Sequence, residues 1–303
     1  MRVLVTGSTG FIGTALAGAL SARGDEVVRV VRSAPRTGDA VIDLSKGTVD
    51  ASRVEGATLD GLGAAVHLAG TPVIGRWTAR RREEIRSSRI AVGDVLARTL
   101  AALSKPPAVL VSGSAIGYYG DGGEAELDES SRNGAGYLAE VCRAWEAATS
   151  PARSAAIRTV MIRTGIVLGP AGGALAPQLK LFRLGLGGRL GSGRQWTSVI
   201  SLADEVRAIL RAIDDAELSG PINATSPTPL RNADFTAELA RAVGRSAPFA
   251  VPAPLLRMAL GAGPANEMLL ASQRVAPRRL LDAGFDFEHE DAAAALHWAI
   301  AGG

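Results

Sequence analysis

Val3-Leu4-Val5-Thr6-Gly7-Ser8-Thr9-Gly10-Phe11-Ile12-Gly13 places a strand-like apolar run, three glycines at three-residue spacing and the start of a helical segment in that order. Gly7 allows a tight turn off the strand, Gly10 lets backbone approach a pyrophosphate, and Gly13 lets helix and sheet pack closely. The helix N-terminus adds N–H groups and a positive dipole end. In a chain with 36 Gly among 303 residues the triplet alone would mean little. Its position at the first strand-to-helix turn makes it a phosphate cradle, completed by Ser8, Thr9, Phe11 and Ile12. The Gly-x-x-Gly-x-x-Gly spacing differs from the Gly-x-Gly-x-x-Gly of ordinary dehydrogenases.

Outward from this loop, Val27–Val31, Ala64–Leu68, Val109–Val111 and Val160–Ile162 are short apolar runs. They alternate with Phe11–Arg23, Glu84–Leu103 and Gly136–Ala148, which carry apolar residues at three- and four-residue spacing. Such alternation predicts an α/β fold, a Rossmann-type doubly wound parallel sheet covered by helices on both faces. After Pro170 the chain becomes Gly-rich, and after Pro221 it carries Ser226-Pro227-Thr228-Pro229. These shifts divide the chain into a cofactor domain, 1–169 completed by roughly 198–225, and a smaller, mostly helical substrate-side lobe, 170–197 and 226–303. Pro221–Ala224 is a short strand able to rejoin the main sheet.

Composition removes several function classes. The 33 Lys+Arg against 30 Asp+Glu leave a formal charge of +3, too small for a general polyanion binder. The densest basic run, Arg80-Arg81-Arg82, is followed at once by Glu83-Glu84, the pattern of a solvated helix face, so no nucleic-acid partner is expected. A single Cys142 excludes an internal disulfide framework and a cysteine-rich zinc site. His67, His289 and His297 are scattered without clustered partners, so no metal site is expected. No apolar run approaches the roughly 20 residues that span a bilayer, and residues 1–6 read as a strand rather than a charged leader; no membrane partner and a cytoplasmic location follow as expectations.

The second strand ends Val30-Val31-Arg32-Ser33, without the acidic residue that accepts hydrogen bonds from a ribose 2′-hydroxyl in NAD-specific sites. A guanidinium at Arg32, with the Ser33 hydroxyl beside it, pairs with a 2′-phosphate that a carboxylate would repel. NADP is the expected cofactor.

Together with Asp43-Leu44, His67-Leu68-Ala69-Gly70 and Ser112-Gly113-Ser114-Ala115-Ile116-Gly117-Tyr118-Tyr119-Gly120, these features resemble the extended and atypical short-chain dehydrogenase/reductases. More narrowly, the chain is similar to the NAD-dependent epimerase/dehydratase-like proteins with an extra C-terminal domain of unknown function. The distinctive blocks are Tyr137–Glu146, Arg163–Gly169 and Ala271–Phe285, so the likeness covers nearly the whole chain. The resemblance implies that Asp43 and Leu44 lie beside the adenine and that Leu68, Ala69 and Gly70 line the cofactor. It further implies that Ser112 belongs to the cofactor site and that Thr164, Gly165, Ile166 and Val167 approach the nicotinamide amide.

Short-chain dehydrogenases move a proton with a Tyr, a Ser or Thr sharing its hydrogen bond, and a Lys four residues after the Tyr that lowers the phenol's pKa. Ser114 falls at the family Ser position and Tyr137 close to the expected Tyr, which makes these two the catalytic candidates. Four residues after Tyr137 stands Val141, and four before Lys46, Lys105 and Lys180 stand Ile42, Ala101 and Ala176. None of the three tyrosines has its lysine. A phenol without that cation is a poor base, although Arg163 or another nearby Arg could supply part of the field. Glu140 and Cys142, one turn along from Tyr137, either face the cofactor or are an exposed carboxylate and a core thiol. Trp196 either stacks on a substrate or fills the core. Two functions remain: an NADP(H)-binding oxidoreductase or epimerase-like enzyme taking a small molecule between the lobes, or a dinucleotide-binding regulatory protein with weak or lost catalysis.

Overall fold

The computed structural model describes residues 1–32, 37–43, 47–50, 58–170 and 172–302. Its main sheet has eight strands: β1 (Arg2–Thr6), β2 (Glu26–Val31), β3 (Ala40–Asp43), β4 (Thr48–Asp50), β5 (Leu62–His67), β6 (Val109–Ala115), β7 (Arg158–Thr164) and β8 (Gly220–Ala224). They lie in the order β8-β7-β6-β5-β1-β2-β3-β4. Every neighbouring pair is parallel except β3 with β4. The chain leaves β1 for β2 on one side and returns to β5 on the other, so the strand order reverses at the C-terminal ends of β1 and β5. Open α/β sheets bind ligands at such a point.

Helices α1 (Phe11–Ala22), α2 (Ala79–Ala101), α3 (Tyr137–Ala147) and α4 (Leu202–Asp214) serve the sheet. Alternation along β1 assigns its faces: Val3 and Val5 join Leu16 and Leu20 of α1 and Ile209 and Ile213 of α4 in one core, whereas Leu4 joins Val92, Leu96 and Leu100 of α2 in the other. A strand buried on both faces reads as an unbroken apolar run, which is why Val3-Leu4-Val5 shows no polar alternation. Thr78 and Ser201 cap α2 and α4 through their side chains, accepting from Arg81 N and Asp204 N.

A third core joins the helices Leu175–Arg183, Asn232–Ala242 and Ala292–Ala301 through Leu179, Phe182, Phe235, Leu239 and Leu296. The block beginning at Ala271 returns to the sheet end of the molecule: Arg274–Val275 pairs with Glu126–Leu127, and Gln273 Nε2 donates to the carbonyls of Ile116 and Gly120 at 3.1 and 3.0 Å. Two features were not expected from sequence, the β3–β4 hairpin and the helix Leu175–Arg183 inside the Gly-rich stretch.

Candidate active site

Gly7 and Gly13 are required by a near approach of backbone, while a Cβ on Gly10 would meet the Gly7 oxygen at 3.2 Å. Gly7 has φ +71, and a Cβ there would lie 2.7 Å from the Leu68 carbonyl carbon; a Cβ on Gly13 would lie 2.1 Å from the Gly7 oxygen. Gly10, the N-cap residue of α1, leaves the first helical N–H groups without a side-chain cap. The hydroxyl of Ser8 is enclosed and has no hydrogen-bond partner among the described residues. An uncapped helix start behind a loop with no room for side chains suits a pyrophosphate. Phe11 closes the outer wall: Cβ atoms on Gly169, Gly172 and Gly173 would all fall within 2.9 Å of its ring. Part of the Gly-rich stretch is thus a collar around Phe11.

Across the switch point, Thr6 Oγ1 lies 2.7 Å from His67 Nδ1, and His67 Nε2 lies 3.1 Å from the Arg89 carbonyl. A carbonyl only accepts, so Nε2 carries the proton and Nδ1 accepts from Thr6, whose oxygen in turn accepts from Ala69 N at 3.3 Å. Burial pushes the His67 imidazole down to about 4, which keeps it neutral. His67 therefore fixes the Leu68–Gly70 loop rather than acting as an acid or base. At the C-terminal end of β7, Thr164 Oγ1 donates to Glu205 Oε1 at 2.7 Å. Glu205 is fully buried on α4, its second oxygen has no partner among the described residues, and burial pushes its carboxyl up to about 8. Gly165 N donates to the Ala224 carbonyl at 2.9 Å, and Ile166–Leu168 pairs with Val199–Ser201. Arg32 is exposed at the end of β2, and Asp43 ends β3. Ser112, fully buried on β6, lies opposite His67 in the sheet. Ser33 and Leu44 lie outside the described residues.

The two catalytic candidates have different partners. Ser114, 4% exposed, donates to Glu146 Oε1 at 2.7 Å. Glu146 on α3 takes Arg163 Nε and Nη2 at 2.8 and 3.0 Å, and Arg163 Nη1 donates to the Tyr119 hydroxyl at 3.0 Å. Tyr119 in turn donates to Asn223 Oδ1 at 2.6 Å, and burial pushes its phenol up to about 12. The guanidinium of Arg163 also lies 3.5 Å over the Tyr118 ring. Tyr137, at the first turn of α3, donates instead to the Arg82 carbonyl of α2 at 2.6 Å, with Trp77 5.1 Å from its ring. Burial raises its phenol above the ordinary 10, against the pull of Arg89 and Arg82. Glu267 accepts from Leu138 N at 2.8 Å and so caps α3 from the C-terminal segment.

Glu140 is exposed and Cys142 buried, its thiol pushed up to about 12 by burial and by Glu146. Trp196 is half-buried, with Arg231 and Arg274 4.0 and 4.9 Å from its ring and its Nε1 donating to Glu124. No group of three or more His, Cys, Asp or Glu able to hold a metal ion occurs among the described residues, and no described helix is long and apolar enough to cross a membrane.

The NAD dependent epimerase/dehydratase family matches residues 3–224, a span that begins at the strand before the glycine cradle and ends with β8. The chain belongs to this family. Residues 251–299 match a domain of unknown function, DUF1731, which bears out the resemblance to atypical members with an added C-terminal module. The epimerase family protein Mb2239 of Mycobacterium bovis is 42% identical over 298 residues, 98% of this chain and 97% of its own. The crystal structure of human epimerase family protein SDR39U1 (isoform 2) with NADPH superposes with a TM-score of 0.89 at 34% identity, covering 99% of both chains. A nucleoside-diphosphate sugar epimerase from Corynebacterium glutamicum gives 0.81 at 37% identity over 99% of this chain and 58% of the other. Sequence reading named Arg163 as a possible source of positive charge but gave no role to Glu205, Arg89, Glu267 or Glu146, which the structure brings to this end of the sheet. An acidic pair in the first turn of a helix reads as a solvated dipole partner, and nothing in Asp204-Glu205 tells that Glu205 faces the sheet.

Proposed function

We propose that this protein is an NADP(H)-dependent oxidoreductase or epimerase-like enzyme acting on a small molecule held between the sheet end of the cofactor domain, 1–169 with 198–225, and the lobe formed by 170–197 and 226–303. The observation that carries the reading is the glycine cradle at the strand-order reversal, followed by Arg32 where an NAD site has an acid. The NADPH held by the human relative supports the choice of cofactor. Gly7 to Gly13 with the start of α1 would hold the pyrophosphate and Arg32 with Ser33 the 2′-phosphate. Asp43 and Leu44 would border the adenine, and Leu68–Gly70, Ser112 and Thr164–Val167 the nicotinamide half. The bound cofactor supplies or accepts a hydride.

Tyr137 would exchange the proton with the substrate oxygen. Its raised pKa keeps it protonated at neutral pH, so it is suited to giving a proton to a carbonyl being reduced rather than to removing one from an alcohol. Ser114 has its own proton committed to Glu146. It can accept a hydrogen bond from a substrate hydroxyl, and donates to a carbonyl only once the Glu146 bond is given up. A cytoplasmic location goes with this reading.

Calorimetry tests the cofactor: Arg32→Asp should weaken NADPH binding by about 100-fold, the loss of a charge-assisted pair plus a repulsion, and NADH by far less. Equal losses, or a wild type that prefers NADH, would show the 2′-phosphate assignment to be wrong. Turnover of NADPH across a carbonyl library tests the chemistry, with Tyr137→Phe expected to lower kcat by about 100-fold or more and Ser114→Ala by less. The regulatory reading is favoured by one observation, that Val141 occupies the lysine position. Tight NADPH binding without turnover on any carbonyl would select it.

A further inference from the structure

Arg163 lies against the Tyr118 and Tyr119 rings, 3.5 and 5.2 Å from their centres, but its charge is engaged by Glu146 through two hydrogen bonds. Arg89 of α2 is held differently. Its Nη1 donates to the carbonyls of Thr71 and Ile85 at 2.9 and 3.1 Å, and its guanidinium lies 5.2 Å from the Trp145 ring. No carboxylate pairs with it among the described residues. It is half-buried, whereas Arg82 and Arg86 on the same helix are exposed.

The free edge of this guanidinium points at the cofactor loop. A Cβ on Gly70 would meet Arg89 Cζ at 3.0 Å, Nη2 at 3.1 Å and Nε at 3.3 Å, so Gly70 is the residue that makes room for it. Nε and Nη2 make no hydrogen bond to the described residues and are not among the enclosed polar atoms. A half-buried guanidinium with two idle donors beside a dinucleotide loop is poised for an external acceptor. Tyr137 has Arg82 over its ring at 5.2 Å, and the positive charges of Arg89, then Arg82 and Arg86, pull its phenol downward while Glu83 pushes the other way. The remaining groups near the start of α3 are the exposed Glu140, the uncharged Cys142 thiol and Glu267, whose carboxylate is engaged by Leu138 N.

We infer that Arg89 is the fixed cation of this active site: its Nε and Nη2 groups take a ribose oxygen of the dinucleotide at the Leu68–Gly70 loop, and its charge stabilises the phenolate left on Tyr137 after proton transfer. The inference rests on the NADPH reading and on Tyr137 as the proton donor. In that step the phenol O–H bond breaks, the proton goes to the substrate oxygen whose carbon receives the hydride from NADPH, and the electron pair stays on the phenolate. A guanidinium cannot relay a proton as an ammonium can. The partly exposed Tyr137 therefore recovers its proton from solvent.

The chain has three tyrosines, so 3-fluorotyrosine labelling yields three ¹⁹F resonances, and Tyr137→Phe assigns one of them. Arg89→Met should raise the Tyr137 titration midpoint by about half a unit or more and weaken NADPH binding in calorimetry about tenfold. Arg89→Lys should return the midpoint toward wild type and recover only part of the binding, because a point charge lacks the fork. If Arg89→Met leaves both midpoint and affinity unchanged, or if Arg82→Met moves the midpoint more, the inference is overturned. Should Arg89→Met fail to fold by thermal melting, Arg89→Lys decides alone: wild-type NADPH affinity overturns the proposal and a partial loss supports it. Loss of the NADPH reading would show as no binding by wild type. Loss of the proton-donor reading would show as full turnover by Tyr137→Phe, and the ¹⁹F titration is read independently of both.

Discussion

A methyl group on Gly13 would lie 2.1 Å from the Gly7 carbonyl oxygen, a backbone atom that cannot swing aside without opening the turn. Gly18 is in the same helix, exposed, and a Cβ there meets nothing within 4 Å. The pair separates helix propensity from cradle geometry. Ala is better than Gly inside a helix by about 1 kcal/mol, so Gly18→Ala should be stabilising by up to that amount. Gly13→Ala should instead cost about 2–3 kcal/mol, because overpacking against fixed backbone exceeds the propensity gain, and should weaken the dinucleotide in parallel. Urea unfolding and NADPH calorimetry on both variants check this. A Gly13→Ala protein as stable as Gly18→Ala would mean that the loop is not held by contact between α1 and the turn.

At the scale of elements, what the sequence made legible is what repeats or punctuates. β1, β2, β5, β6 and β7 are apolar runs, and α1, α2 and α3 carry three- and four-residue spacing, so the doubly wound architecture follows from periodicity and the tight turn between β1 and α1 from its glycines. β3 and β4 were not legible: at four and three residues each, they are too short for a period-two signal. The helix Leu175–Arg183 was hidden by the glycines around it: Gly172 and Gly173 before it meet Phe11, and Gly185 at φ +72 ends it just past its C-cap. The site divides in the same way. Ser114 and Tyr137 were found by position in a family pattern, yet Ser114 is engaged by Glu146 and Tyr137 by the Arg82 carbonyl. Those partners come from α3 and α2, and no linear spacing encodes which turn of one helix meets which strand end. Arg89 was one arginine among 30 in the sequence. Only the packing of α2 against the Gly70 loop distinguishes it from Arg82 and Arg86.

For the molecule as a whole, two buried groups make stability depend on pH in opposite directions. His67 has a folded pKa of about 4 against an ordinary 6.5. The unfolded chain binds the extra proton between those values, so stability falls as pH drops through that window. Glu205 has a folded pKa of about 8 against 4.5. Here the folded chain holds the proton that the unfolded chain has released, so stability falls as pH rises from 4.5 to 8. The two effects oppose one another up to pH 6.5. Above it the imidazole is neutral in both states and Glu205 acts alone. Between pH 6.5 and 8 the unfolding free energy of wild type should therefore decline, with a slope of up to about 1.4 kcal/mol per pH unit for one proton. Glu205→Gln keeps an oxygen to accept from Thr164 and cannot ionise, so its stability should be flat over the same interval and should exceed wild type most at the alkaline end. Urea unfolding at half-unit steps distinguishes the cases, and parallel slopes for the two proteins would show that the Glu205 carboxyl is not the group held neutral beneath Thr164.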